Sequence, residues 1–301
     1  MNSERRFYTL DVFSSQKLQG NPLAVVLDSE GLSDLEMQTI AREFNLSETV
    51  FILPAEYPEN TARLRIFTPG QELPFAGHPT IGASVLLAHT DPANNTVKLN
   101  LELKAGLINS DATCNDGLGE AGFHTPGVPS EYTPHNDPEV TAKLLGLTAD
   151  DLKLRNHLPG FVSSSGNEWL FIPVKDARTI KRAKVDMAYW SAAHAGHTSD
   201  GVYVYTDECN SPDAHWHTRM FAPAMGITED PATGSAAVTF PGILAEFETL
   251  VQGENSWQIE QGYEMGQPSQ LHVSARVDNS NILHVKLAGS AVILMSGTLY
   301  Y

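Results

Sequence analysis

Short apolar runs broken by turn signals dominate this chain, and they predict many strands and few helices. Residues 7–13 alternate and carry aromatic and β-branched side chains, the pattern of a half-buried strand. Gly20-Asn21-Pro22 marks a turn, and residues 23–27 read as a short buried strand. Ser33-Asp34-Leu35-Glu36 has capping-box spacing and predicts a helix with Leu35, Ile40 and Phe44 on its apolar face. Residues 49–53 and 62–67 read as further strands. After Gly77-His78-Pro79-Thr80, residues 81–89 are small and apolar nearly all round, which predicts a buried helix. Residues 109–138 are rich in Gly, Pro, Asp and Asn and predict a linker or surface excursion, followed by a helix-bearing stretch over 135–154.

The second half repeats this plan. Arg65-Ile66-Phe67-Thr68-Pro69 is echoed by Arg219-Met220-Phe221-Ala222-Pro223, an offset of 154 (219 − 65). At that offset His78 aligns with Ala232 and Ala76 with Asp230. Gly20-Asn21 is echoed by Gly166-Asn167, an offset of 146 (166 − 20), and each pair precedes an apolar strand, 23–27 and 169–174. A second small-residue apolar helix is predicted over 235–247, with Pro241 inside it as a potential kink. Two echoes in the same order predict duplicated halves.

Length and composition agree with that plan. At roughly 100–200 residues per domain, 301 residues suggest two domains. Hydrophobic residues at 42% and charged residues at 18% are a globular composition. Nineteen basic residues against 36 acidic ones leave a net charge of −17, which argues against a nucleic-acid partner. A small anionic substrate stays open, because a local site can be positive inside an acidic surface. The two cysteines, Cys114 and Cys209, make neither a disulfide framework nor a four-cysteine zinc site. No signal-peptide core follows Met1-Asn2-Ser3-Glu4-Arg5-Arg6 and no run is long enough for a membrane span, so a cytoplasmic protein without a membrane partner is expected. The glycosylation patterns Asn45-Leu46-Ser47 and Asn94-Asn95-Thr96 carry no weight without secretion.

Glu48 falls between a helix and an apolar strand, as either a buried general acid or base or a loop-capping carboxylate. Gly77-His78-Pro79-Thr80 opens a buried helix whose free amides and dipole favour an anion, with His78 able to relay a proton near neutral pH. Glu229-Asp230-Pro231-Ala232-Thr233-Gly234-Ser235 is its counterpart, with Asp230 as a second acid and Thr233 or Ser235 as a cap or anion ligand. Plain capping explains either turn alone. Two such helices in duplicated halves suit one inter-domain cleft. His215-Trp216-His217 and His194-Ala195-Gly196-His197 lack the flanking carboxylate of a zinc signature, so no metal is expected. No G-x-G-x-x-G or P-loop supports a nucleotide cofactor, and Ser163-Ser164-Ser165-Gly166 is no nucleophile elbow.

Taken together, the motifs resemble the PhzF-like phenazine-biosynthesis family. They are Asp11-Val12-Phe13, Gly20-Asn21-Pro22-Leu23-Ala24-Val25-Val26, Ser47-Glu48-Thr49-Val50-Phe51, Phe75-Ala76-Gly77-His78-Pro79-Thr80-Ile81-Gly82 and Glu229-Asp230-Pro231-Ala232-Thr233-Gly234-Ser235-Ala236. Gln261-Gly262 and Met265-Gly266-Gln267-Pro268-Ser269 add a C-terminal signature. The resemblance implies the diaminopimelate-epimerase-like fold, an α/β (α+β) architecture of two pseudo-symmetric domains. Each is a β-barrel-like sheet around a central helix, with the active site between them. Expected boundaries are 1–120, joined by a returning last strand at 290–301, and 121–289. The implied reaction is the isomerisation of trans-2,3-dihydro-3-hydroxyanthranilate by proton transfer between ring carbons, without cofactor or metal. Glu48 would carry the proton, His78 and Asp230 would assist, and the amides of Gly77, Gly234 and Ser235 would hold the carboxylate. Asn21, Ser47 and Thr233 complete the implied binding set, and a homodimer is expected. The fold's racemases and epimerases place a thiol at each central-helix turn, whereas both cysteines here lie elsewhere. Gln267 stands where many members have Arg, a change that weakens anion binding or an ion pair and bears on the substrate. The alternatives are a related isomerase or lyase on another small carboxylate, and a binding protein that keeps the fold.

Overall fold

The computed structural model describes residues 4–91, 96–199 and 201–301, so Met1-Asn2-Ser3 and the Asn94-Asn95 pair of the glycosylation pattern lie outside it. The described residues form seventeen strands and six α-helices. None of those helices is long and apolar enough to cross a membrane. The chain divides into two units, Met1–Pro126 with Leu287–Tyr301, and Gly127–Lys286.

Unit 1 runs β1 (Glu4–Val12), β2 (Asn21–Val26), α1 (Asp34–Phe44), β3 (Glu48–Leu53), β4 (Ala62–Phe67), β5 (Glu72–Leu73), α2 (Gly77–Thr90), β6 (Val97–Leu103), β7 (Gly106–Asn115) and β8 (Leu118–His124). Strands β1 and β2 are antiparallel, β2 and β3 parallel, β3 and β4 antiparallel, and β4 and β6 parallel. Beyond them β6–β7–β8 form an antiparallel meander. The last strand of the chain, from Leu287 on, pairs with both β8 and β1 and closes an eight-strand barrel.

Inside the barrel lies α2, packed on β1, β2, β3, β7 and β8. Almost every side chain of its first ten residues is buried, as its lack of a polar face predicts. Close approach requires Gly82, where a Cβ would lie 2.4 Å from Leu23 Cδ2 and 2.9 Å from Val12 Cγ2. Outside the barrel lies α1. Ser33 and Glu36 make the reciprocal capping box anticipated above. Its core face differs from the expected one, because Leu35 is 75% exposed and Met37, Ile40 and Ala41 are the buried residues. They pack on Val26, Phe51, Leu53 and Phe67.

The expected linker over 109–138 is corrected in its first half. Residues 106–124 are the β7–β8 hairpin, joined by Asp116-Gly117, both at positive φ. Asp-Gly is the pair that a two-residue type I′ turn selects, so the turn residues marked a hairpin tip and not a tether.

Unit 2 runs β9 (Thr133–Pro134), α3 (Pro138–Leu144), β10 (Gly160–Ser164), β11 (Asn167–Pro173), α4 (Ala177–Arg182), α5 (Trp190–Ala193), β12 (Gly201–Thr206), β13 (Trp216–Ala222), β14 (Ile227–Asp230), α6 (Gly234–Phe247), β15 (Gly253–Gln261), β16 (Ser269–Asp278) and the start of β17 (Asn281–Tyr300). Its pairing repeats that of unit 1 step by step. Antiparallel β10–β11, parallel β11–β12, antiparallel β12–β13, parallel β13–β15 and antiparallel β15–β16 follow in the same order. The sheet packs on α6, which continues through Pro241.

The echoed Arg-x-Phe segments have one structural role. Arg65 grips Glu72 with two hydrogen bonds of 2.8 and 2.9 Å and stands over the Phe67 ring. Arg219 grips Glu229 with two of 2.8 Å and stands over Phe221. Each pair ties the strand before the central helix to the short strand beside it.

Candidate active site

Three element starts meet at one end of unit 1. Asn21 opens β2, Glu48 opens β3, and His78 is the second residue of α2. The parallel β2–β3 register sets Leu23 beside Glu48. Gly82 lets α2 sit close enough to these strands for His78 to reach both neighbours. His78 Nε2 lies 3.3 Å from Glu48 Oε2, and Asn21 Nδ2 lies 3.4 Å from His78 Nδ1. The Asn21 amide nitrogen can only donate, so in that pairing Nδ1 accepts and the ring's own proton resides on Nε2, the nitrogen beside Glu48. Burial pushes the His78 pKa down to about 3, which keeps the ring neutral. All three side chains are nearly sealed from solvent. Ser47 is half-buried directly before β3, and Gly77 is the first residue of α2. Among the described residues no side chain caps the N-terminus of α2, and first-turn amides and a dipole of this kind favour an anion.

In unit 2 Asp230 ends β14, and Thr233 precedes α6, whose first residues are Gly234 and Ser235. Thr233 does not cap the helix. Its hydroxyl donates to Asp230 Oδ2 at 2.5 Å instead. Gln261, fully buried at the end of β15, closes the turn. Its Oε1 accepts from the Thr233 amide at 3.2 Å, and its Nε2 donates to the Asp230 carbonyl at 2.7 Å and to Thr233 Oγ1 at 3.1 Å. Gln261 stood in the C-terminal signature without a role. A long-range bond from the tip of one strand to a turn leaves no local pattern that would have exposed it.

The strand registers and helix starts correct the fixed-offset alignment of the two halves. Helices α2 and α6 begin 157 residues apart (234 − 77), so the counterpart of His78 is Ser235 and not Ala232. In the parallel ladders, Leu23 opposite Glu48 corresponds to Trp169 opposite Gly201. A Cβ at Gly201 would lie 2.6 Å from the Phe221 carbonyl oxygen, so no carboxylate fits there. The duplication kept the scaffold and confined the Glu–His pair to unit 1.

Neither central helix starts with a thiol. Cys114 lies on β7 and Cys209 follows β12, where burial drives its thiol up to about 12. Two-thiol epimerisation therefore has no acid–base pair here. The histidine pairs weighed as metal ligands are occupied otherwise. His194 stacks on Trp190, His197 stacks on Phe161, His215 Nδ1 accepts from the Gln258 amide, and His217 lies between two carboxylates. Among the described residues, no group of three or more His, Cys, Asp or Glu is placed to hold a metal ion.

Comparison with known proteins bears on these motifs. A protein of Mesorhizobium japonicum, named an uncharacterized isomerase, is 38% identical over 98% of this chain and 99% of its own. The trans-2,3-dihydro-3-hydroxyanthranilate isomerase of Pseudomonas aeruginosa is 32% identical over 98% of this chain and 99% of its own. A solved phenazine biosynthesis protein of the PhzF family from Bacillus anthracis superposes with a TM-score of 0.86 at 27% identity, covering 99% of both chains. Solved proline racemase and hydroxyproline epimerase structures share the fold alone. The family model described as phenazine biosynthesis-like protein matches residues 10–297, and the chain belongs to that family.

Proposed function

We propose that this isomerase moves a proton between carbons of a small cyclic carboxylate, with Glu48 carrying the proton. The observation that supports it is the sealed Glu48–His78 pair, 3.3 Å apart and oriented by Asn21. Proton transfer at carbon needs a base that water does not blunt, and burial provides that setting. A neutral His78 lies against Glu48 without adding the full positive charge that would weaken it as a base. Asp230, held by Thr233 and Gln261, assists in orienting the substrate's amino or hydroxyl group. The uncapped helix starts at Gly77 and at Gly234 and Ser235 are the groups suited to its carboxylate. Asn21, Ser47 and Thr233 complete the substrate-binding set.

The relative from Pseudomonas aeruginosa suggests trans-2,3-dihydro-3-hydroxyanthranilate as the first compound to try. Purified protein is expected to change that compound's absorbance as conjugation moves within the ring. Glu48→Gln keeps the side chain's shape and is expected to lower kcat by about 10²–10⁴-fold, with the thermal midpoint within a few degrees of the parent. Full activity in a folded Glu48→Gln protein removes Glu48 from the mechanism. A folded parent without turnover rejects this substrate.

A further inference from the structure

An ionic cluster buried beside the Asp230 turn has no part in the proton transfer described above. His217 on β13 lies opposite Glu260 on β15 in the parallel ladder. Its Nδ1 is 2.8 Å from Glu260 Oε1, and its Nε2 is 3.1 Å from Glu264 Oε1. The Asn210 side-chain nitrogen also lies 3.4 Å from Nδ1, but the two carboxylate oxygens are nearer, and a carboxylate at each ring nitrogen favours the doubly protonated imidazolium. Glu260 also accepts from the Asn210 amide at 2.6 Å, the Asn210 side chain at 2.9 Å and the Ser211 amide at 2.9 Å. The Tyr263 ring meets His217 edge-on. The His217 and Glu260 side chains are only 1% and 0% exposed. Burial alone would push His217 down, but the two carboxylates outweigh it and raise the ring to about 9. Other ionisable groups that sense the cluster are Tyr263, whose phenol burial and Glu260 push up, Cys209, held protonated by burial and by Glu260 and Asp207, and Arg219, whose charge favours an ionised Glu264.

Buried charges of this kind cost more than well-packed apolar groups would, so placement is the advantage they offer. The residue after Glu260 is Gln261, which clamps the Asp230–Thr233 turn. The next is Gly262, at φ +82, where a Cβ would lie 2.6 Å from the Pro231 carbonyl oxygen and 2.3 Å from that of Gln267. The end of β15 and the Asp230 turn thus approach each other backbone to backbone.

We propose that His217, as an imidazolium bridging Glu260 and Glu264, is a positioning residue for Asp230, fixing the end of β15 so that Gln261 holds the Asp230–Thr233 turn at the start of α6. The role rests on the reading of Asp230 as an assisting group, while the coupling itself is measured without turnover. In isotope-labelled protein, both His217 ring nitrogens are expected to be protonated at pH 7 and to titrate near 9, and the Thr233 and Gln261 amide resonances to move with the same midpoint. Glu264→Gln is expected to lower that midpoint and to speed hydrogen exchange of the Thr233 amide about 10-fold. On a turned-over substrate it is expected to lower kcat about 10- to 100-fold at nearly unchanged KM. His217→Gln should do the same more strongly; if that variant does not fold, Glu264→Gln carries the test alone. A Thr233 amide that ignores the His217 titration and exchanges at the parental rate in Glu264→Gln overturns the proposal. Observed coupling without turnover of dihydrohydroxyanthranilate overturns the substrate reading and leaves the coupling in place.

Discussion

Because burial holds His78 neutral, the single ring proton matters, and Asn21 decides which nitrogen carries it. Asn21→Asp places an acceptor where a donor stood, draws the proton to Nδ1 and leaves Nε2, the nitrogen beside Glu48, without one. That variant is expected to lose about 10²-fold or more in kcat while staying folded, with the altered tautomer visible in the ring nitrogen shifts. An unchanged tautomer with full activity would separate Asn21 from the site. At this scale much was legible: Asn21, Glu48 and His78 stand in motifs that announce them, and the structure brings all three together. What the residues alone left open at Glu48 was burial, since a loop carboxylate and a sealed base look alike until the fold sets their surroundings.

Elements carry these side chains to their places, and close packing is what makes the placement exact enough for chemistry. Gly82→Ala forces a methyl against Leu23 and Val12 in the barrel interior, where nothing can yield without repacking. A loss of about 1–3 kcal/mol is expected in a denaturant titration; a neutral effect would mean that α2 is free to move outward. The His217 cluster gives a pH signature. Its folded-state pKa is raised, so its contribution is complete below about 6.5 and is lost as pH rises through about 9. Stability of the parent is therefore expected to decline on the alkaline side, and that of His217→Gln to be flatter there. Apolar periodicity revealed the central helices because they are buried all round. It misjudged α1, where Leu35 points to solvent although its spacing fits the apolar face. The β7–β8 hairpin was hidden for a different reason: its strands expose alternate residues, and its Asp-Gly tip reads equally as loop.

For the whole molecule, duplication was the most legible property and its break the least. Two short echoes predicted a repeated plan, and the matching ladder sequences in units 1 and 2 repeat it. Offsets of 146, 154 and 157 show insertions accumulating between matched elements, so no single shift aligns the candidate site positions. Only the registers show Gly201 standing where Glu48 would be. The barrel of unit 1 predicts its own weak point. Deleting residues 287–301 removes the strand that pairs with both β1 and β8. The shortened chain is expected to lose the cooperative unfolding of unit 1 and to bind a dye for exposed apolar surface; a native-like thermal transition would show that the barrel holds without it.

That returning strand also orders events during synthesis. Residues 127–286 are contiguous, so unit 2 can collect all its strands as it emerges from the ribosome. Unit 1, although made first, must wait for Leu287–Tyr301 before its ring of strands is complete. The unit that holds Glu48 and His78 begins folding first and finishes last. Until then it carries β1 and β8 as open edges, the part of the nascent chain most exposed to mispairing.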